Sequence, residues 1–244
     1  MKHAFILLLL AGLLTADSFK DQQLKHERVQ TAYQEKKAGA ERLLKSKSLS
    51  LNTLQLYMRA FKQEEVLEVW AKNKTDQNYQ LLITYPFCSM SGTLGPKRQE
   101  GDLQIPEGYY FIDRFNPQSN FYLSLGINYP NAADKIKGKG RLGGDIFIHG
   151  ACVTIGCITI TDDKIKEVYL LAAEAFNNGQ TKIPVHIFPA RYSTTAYTQL
   201  QQEYANKKPL LSFWENLKGG YTYFEKNKKL PTVQVNAAGN YVFR

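Results

Sequence analysis

The sequence predicts a mixed α+β domain in which strands predominate and helices lie at the periphery. From residue 53 onwards, short apolar segments alternate with turns rich in glycine, proline, asparagine or charge, a pattern typical of strands. An amphipathic helical pattern follows residue 161, and weaker helical patterns occupy both ends of the chain. We therefore expect a β-rich domain with an N-terminal helix and peripheral helices.

The strand segments are bounded by their turns. Thr53–Phe61 and Val66–Ala71 flank the polar turn Lys62–Glu65, which predicts an antiparallel hairpin. The other predicted strands are Tyr79–Tyr85, Gly108–Phe115, Tyr122–Ile127, Gly144–His149, Ile183–Phe188 and a short one at Val242.

Helices are predicted at the two ends and in the middle of the chain. Ser18 to about Lys47 has a weak apolar stripe and predicts one long, partly exposed helix that packs on the domain without joining its core. Thr161 is the predicted N-cap of a helix that ends at Gly179. Two short helices are expected near Thr194–Tyr204 and Leu210–Leu217.

Residues 1–16 have the pattern of a secretory signal peptide. A positive start precedes the apolar run Phe5–Leu14, which is too short to cross a bilayer of about 30 Å as a helix. We expect a mature chain from about Asp17 that is not an integral membrane protein. It divides into an N-terminal helical extension (17–50), a main catalytic domain (51–191) and a C-terminal helical extension (192–244).

The net charge of +9 favours anionic surroundings such as cell wall or lipid head groups. Nucleic acid is the other common partner of such charge. Export and the lack of a nucleic-acid binding motif argue against it.

The chain has three cysteines, an odd number that predicts at least one free thiol in an exported protein. Cys157 is the natural free one. Cys88 and Cys152 could pair in an oxidising compartment, but two separately buried thiols are the commoner state, and we expect that state here.

The segment from His149-Gly150 to Gly156-Cys157 predicts a thiol acyl-transfer site. A nearby imidazole raises the thiolate fraction of a cysteine, which is the reactive form. Gly156 allows backbone N–H groups to point where an oxyanion would form, and Thr154 could add a hydroxyl to the rim.

Other interpretations of these residues exist. A lone cysteine is usually a small buried hydrophobe. A zinc site from Cys152, Cys157, His149 and His186 is conceivable by residue type, but the cysteine spacing is not that of zinc sites. Papain-like peptidases place cysteine before histidine, and sortases need a TLxTC segment that is absent.

The sequence resembles the L,D-transpeptidase (YkuD-type) family, and within it the YafK-like branch. The signature is a histidine-glycine pair followed by (S/T)-x-G-C, here His149-Gly150 and Thr154-Ile155-Gly156-Cys157. Further matching segments are Ser91–Lys97, Gly101–Tyr110, Asn116–Ser119, Leu123–Leu125, Tyr129–Asn131, Ile148–Gly150 and Val185–Pro189.

The resemblance implies that Cys157 is the nucleophile and that His149 accepts and donates the proton. The Gly150 carbonyl would orient the imidazole, and N–H groups around Gly156 and Cys157 would form the oxyanion hole. Cys157 would attack an amide next to diaminopimelate in a peptidoglycan stem peptide, with no metal or cofactor. The location implied is the periplasm of a Gram-negative bacterium.

Two departures from the family pattern affect the reaction. Thr159 stands where mainstream members carry an arginine, which could hold a substrate carboxylate bidentately, and the spacing from His149 to Cys157 is unusually short. The YafK-like branch includes an amidase that releases a wall-linked lipoprotein, so both transfer and hydrolysis stay open.

Four residues are candidates for substrate binding: Ser91, Thr154, Thr159 and Arg141. A second hypothesis, from another functional class, is a non-catalytic peptidoglycan-binding protein that retains the fold.

Overall fold

The computed structural model describes residues 17–244, so the predicted signal peptide (1–16) lies outside the described residues. An eight-stranded sheet has the order β3-β2-β1-β8-β4-β5-β6-β7. Its strands are β1 (Leu54–Phe61), β2 (Val66–Asn73), β3 (Gln80–Pro86), β4 (Gly108–Asn116), β5 (Ser124–Ile127), β6 (Phe147–His149), β7 (Ile158–Thr159) and β8 (Ile183–Phe188). Two pairs, β1 with β8 and β6 with β7, are parallel, and the others are antiparallel. The predicted α+β class and the β1–β2 hairpin are confirmed.

Six helices surround the sheet within residues 17–244. They are α1 (Phe19–Gln23), α2 (Glu27–Lys45), α3 (Ala132–Lys137), α4 (Asp162–Asn177), α5 (Thr195–Glu203) and α6 (Lys208–Asn227). The predicted N-cap Thr161 precedes α4, although its side chain makes no capping hydrogen bond. No helix in this part of the chain is long and apolar enough to cross a membrane.

The sheet is covered on both faces, and β1 shows how. Leu56, Met58 and Ala60 belong to a core that includes α2 and α4. Tyr57 and Phe61, which alternate with them, pack into aromatic clusters with α6. Because successive strand residues point to opposite faces, burial of all five side chains places helices on both sides of the central strand.

The N-terminal segment differs from the prediction of one helix outside the core. The chain turns between Gln23 and Glu27 and separates α1 from α2. This turn lets Phe19 pack against Phe115 and Phe176 while α2 runs along the domain. Val29, like Ala32 and Ala40, is fully buried in the main core, so α2 is a core element.

The C-terminal segment also differs, because the second predicted short helix continues as α6 to Asn227. Gly219 and Gly220, which lie beyond the predicted end at Leu217, are inside α6, where Phe243 and Tyr109 pack against their backbone. A Cβ at Gly220 would overlap both rings, so glycine permits this contact. Strands β9 (Val233–Val235) and β10 (Tyr241–Phe243) form a separate hairpin.

A buried ion pair crosses the interior. Lys62 Nζ lies 3.1 Å from Glu107 Oε1, and both side chains are fully buried. Glu107 also accepts hydrogen bonds from Gly95 N–H and Trp214 Nε1–H. These bonds attach α6 and the 89–107 loop to the end of β1.

Candidate active site

Two neighbouring parallel strands bring the predicted base and nucleophile to one edge of the sheet. His149 ends β6 and Cys157 immediately precedes β7. The register pairs Ile148 with Ile158 and His149 with Thr159. Since paired residues share a face and alternate residues return to it, Cys157 and His149 lie on the same face.

Both side chains line a single cavity of about 630 Å³. The 150–157 loop forms one wall, and the loop between β4 and β5 forms another. The lining residues are Asn116, Ser119, Asn120, Phe121, Ser124, Asp145, Phe147, His149, Val153, Thr154, Ile155 and Cys157.

The surroundings of His149 fix its tautomer and keep it uncharged. Its Nδ1–H donates to the Gly150 carbonyl, as the sequence predicts, which leaves Nε2 as the basic nitrogen. The Phe121 ring stacks on the imidazole, with centroids 4.6 Å apart and planes at 27°. Burial lowers the pKa of His149 below 6.5, although the Gly150 hydrogen bond acts in the opposite direction. The imidazole is therefore neutral at pH 7 and able to accept a proton.

Cys157 is a free thiol, but the expectation of a preformed thiolate is not supported. Its Sγ lies 3.7 Å from the Asp145 carbonyl oxygen. Burial raises the pKa of the thiol above 9.0, while a backbone hydrogen bond from Phe147 acts in the opposite direction. Desolvation disfavours the charged form, so burial favours the protonated thiol of Cys157 and the neutral imidazole of His149.

The N–H groups expected to form the oxyanion hole are occupied. Those of Gly156 and Cys157 donate to Thr154 Oγ1 at 3.1 and 2.7 Å, and the hydroxyl donates to the Cys157 carbonyl at 2.9 Å. Thr154 thus orders the turn that carries the nucleophile, and a substrate carbonyl could reach these groups only after its side chain rotates. The role of these N–H groups as an oxyanion hole stays a prediction.

Both signature glycines are required by close backbone approach. Gly156 has φ of 139°, and a Cβ there would lie 2.9 Å from the Gln104 carbonyl oxygen. At Gly150 a Cβ would overlap the Asp162 carboxylate at the start of α4. That carboxylate accepts a hydrogen bond from Ala151 N–H at 2.7 Å and so fixes the chain directly after His149.

A disulfide joins Cys88 to Cys152, which corrects the expectation of two separate thiols. Cys88 follows β3, and its N–H donates to the Thr159 carbonyl at 3.0 Å. Cys152 lies in the loop between His149 and Cys157. The crosslink therefore ties this loop to the segment that borders β7 and leaves Cys157 as the free thiol.

The YkuD L,D-transpeptidase catalytic domain family matches residues 57–187 of the chain. This chain belongs to that family. Over 190 residues it is 40% identical to the Escherichia coli (strain K12) protein named "Putative L,D-transpeptidase YafK", which covers 77% of this chain and 73% of that protein. The predicted family and its YafK-like branch are confirmed.

The solved structures to which the chain is similar include those of two bacterial proteins. The helical cell shape determining protein Pgp2 from Campylobacter jejuni is 19% identical with a TM-score of 0.44, covering 81% of this chain and 80% of that chain. Bd1075 of Bdellovibrio bacteriovorus is 22% identical with a TM-score of 0.41, covering 64% and 56%.

Three of the predicted substrate-binding residues lie away from the cavity of this L,D-transpeptidase domain. Thr159 is fully buried. Its hydroxyl accepts from the Ser89 N–H at 3.0 Å and donates to the Ser89 carbonyl at 2.8 Å. Ser91 donates to the Leu103 carbonyl at 2.9 Å. Arg141 is 87% exposed and pairs with Glu100. Thr154 is the one candidate of the four that lines the cavity.

The sequence reasoning missed residues that reach the cavity from β5 and from the loop before it. Ser124 pairs directly with His149 across β5 and β6, and its buried hydroxyl has no hydrogen-bond partner among the described residues. Phe121 and Asn116 were missed too. Pairing the predicted Tyr122 strand with the strand that ends at His149 would have pointed to them.

His186 lies away from the candidate nucleophile. Its Nδ1 is 2.9 Å from the Tyr57 hydroxyl, and burial lowers its pKa to about 3. Within residues 17–244 no group of three or more histidine, cysteine or acidic side chains is arranged to hold a metal ion.

Proposed function

We propose that this protein is an exported cysteine enzyme that acts on amide bonds of peptidoglycan stem peptides through a Cys157 acyl-enzyme. The observation that carries the proposal is the shared cavity, into which adjacent strands bring a free thiol and a neutral imidazole. Family membership supplies the reaction class. The wall-linked lipoprotein is a proposed substrate that follows from the similarity to the YafK-like branch.

The chemistry follows from the protonation states of the two side chains. As Cys157 Sγ bonds to the amide carbonyl carbon, its proton passes to His149 Nε2. The carbon–nitrogen bond then breaks, and the imidazolium gives its proton to the departing amine, which leaves a thioester. Water or a second amine attacks the thioester, and His149 takes a proton from it and returns it to sulfur.

Two features support export. The Cys88–Cys152 disulfide is typical of oxidising compartments, and residues 1–16 have the signal-peptide pattern. The positive net charge suits an anionic cell wall.

The test uses the exported protein with defined muropeptides and with lipoprotein-linked sacculi, and identifies products by mass. Intact-protein mass should reveal an acyl adduct on the wild type that is lost in Cys157→Ala. His149→Ala should abolish turnover. The matched control His26→Ala, which changes a histidine outside the cavity, should retain it.

The products also identify the acceptor. Crosslinked dimers indicate an amine acceptor, and released peptide or lipoprotein indicates water. Binding to sacculi without adduct or turnover would refute the proposal and favour a wall-binding protein.

A further inference from the structure

We propose that helix α2 completes the active site, with Arg28 as a positioning residue that holds the loop between β4 and β5 so that Phe121 covers His149. The inference rests on the proposed function for its catalytic meaning. Its structural content, a link from α2 to the catalytic base, can be measured without turnover.

The first step of the link is a pair of hydrogen bonds from one guanidinium. Arg28 Nη1 donates to the Ser119 carbonyl at 2.5 Å and to the Tyr122 carbonyl at 2.7 Å. These acceptors lie at the two ends of a short stretch with Phe121 between them. Helix α2 is anchored at the next position along the chain, because Val29 is fully buried in the core.

The second step is the backbone conformation that these bonds stabilise. Tyr122 has φ of 73°, a left-handed conformation that is unfavourable for a bulky side chain and persists only when its surroundings fix it. The Arg28 guanidinium and the Lys166 ammonium lie 5.5 and 5.6 Å from the centroid of the Tyr122 ring. Cations from α2 and α4 therefore hold the residue that follows Phe121.

The third step is the contact with the base. Phe121 N–H donates to Ser119 Oγ at 3.0 Å, and its ring stacks on His149. With 41% of its surface exposed, Phe121 forms a cover over the imidazole and is not a core side chain. Removing this cover would admit water to the ring.

Loss of the cover has a defined electrostatic consequence. Burial is the main cause of the lowered pKa of His149, so hydration of the ring should raise that pKa. The titratable groups nearby are Cys157 and Asp145 in the cavity and Asp162 beside Gly150. Substitution of Arg28 changes none of these three side chains. Arg28 lies on α2 and contacts the loop between β4 and β5.

The experiment titrates His149 by nuclear magnetic resonance in wild type, Arg28→Ala, Arg28→Lys and Phe121→Ala. Arg42→Ala is the matched control, because Arg42 is an exposed arginine of α2 with no ion pair among residues 17–244. His149→Gln assigns the resonance. Thermal unfolding monitors the fold of every variant.

Arg28→Ala and Phe121→Ala should both raise the His149 midpoint, and the double variant should raise it no further. Arg28→Lys should raise the His149 midpoint less than Arg28→Ala does, and the midpoint of Arg42→Ala should match that of wild type. The acid limb of kcat/KM should move to higher pH in parallel, so the loss of activity relative to wild type should be larger below pH 6.5 than at pH 8.

An Arg28→Ala midpoint equal to that of Arg42→Ala would overturn the inference. If Arg28→Ala does not fold, Arg28→Gln takes its place, and an unchanged midpoint there is equally negative. Wild type without peptidoglycan turnover would refute the proposed function, while the titration would still test the link from Arg28 to His149.

Discussion

Replacing both Cys88 and Cys152 with alanine should strongly destabilise the protein, because their crosslink closes a long loop. The two residues are 64 positions apart. In the chain-entropy model a closed loop of this length contributes about 4 kcal/mol at 25 °C. For a domain of this size the loss corresponds to a fall in melting temperature of about 10 °C.

Chemical denaturation followed by circular dichroism and tryptophan fluorescence measures the change. Reduced wild type should match the double alanine variant, and Cys157→Ala should retain the full stability of the oxidised protein. A loss below about 1 kcal/mol would refute the reasoning, since it would mean that the crosslink leaves the unfolded chain unrestricted.

The single variant Cys88→Ala gives a second test. It frees Cys152 in the loop beside Cys157, so thiol reactivity at Cys157 should fall under oxidising conditions and recover with reductant.

Three further predictions follow from the buried groups. The kcat/KM profile should be flat from about pH 7 to 8.5, with an acid limb below 6.5 as His149 protonates and an alkaline limb above 9.0 as Cys157 deprotonates. A thiolate–imidazolium pair would instead titrate the cysteine at lower pH than the histidine. Iodoacetamide rates measured across pH distinguish the two cases. Thr154→Val should lower the free energy of unfolding by about 1 kcal/mol, because the Gly156 and Cys157 N–H groups lose their acceptor. It should also reduce Cys157 acylation, because the turn that carries the nucleophile loses the hydroxyl that orders it, whereas Thr154→Ser should keep both properties. Lys62→Met should cost about 3–5 kcal/mol in denaturant titration by leaving Glu107 buried without its partner. The double change Lys62→Met/Glu107→Gln should recover part of that loss, because glutamine removes the charge and keeps an acceptor for the Gly95 and Trp214 donors.

Elements with a strong local pattern could be predicted from the sequence. The β1–β2 hairpin has apolar strands on either side of a polar turn, and α4 follows Thr161 with apolar residues at helical spacing. The placement of His149 and Cys157 in one cavity could be expected in the same way, because the two residues lie close together along the chain. In each case the decisive information is local.

The predictions were wrong where contacts between residues distant in the sequence determine the structure. Nothing near Gly220 shows that Tyr109 and Phe243 will pack on its backbone, so the continuation of α6 beyond Leu217 could not be predicted. The disulfide partner of Cys152 is set by the position of β7 beside Cys88, and β7 has only two residues. A strand of that length carries no recognisable alternation.

The same limit explains why Thr154 was expected to face the substrate. Its hydroxyl does reach the cavity, but it bonds the two N–H groups that the sequence pattern assigns to an oxyanion. Side-chain–backbone bonds of this kind compete with a ligand for the same donors. Such competition depends on the folded conformation of the turn and cannot be recognised in the sequence.

Burial determines which charge states of Cys157 and His149 are favoured before the reaction and during it. A thiolate beside an imidazolium would place two charges in a site lined by Phe121, Phe147 and Ile155, where desolvation penalises both. A neutral pair avoids that penalty until a carbonyl arrives, and rotation of Thr154 would then free N–H groups at the moment negative charge develops on its oxygen. Because the thiolate is the form that oxidants attack, a protonated Cys157 would also suit the export that we propose.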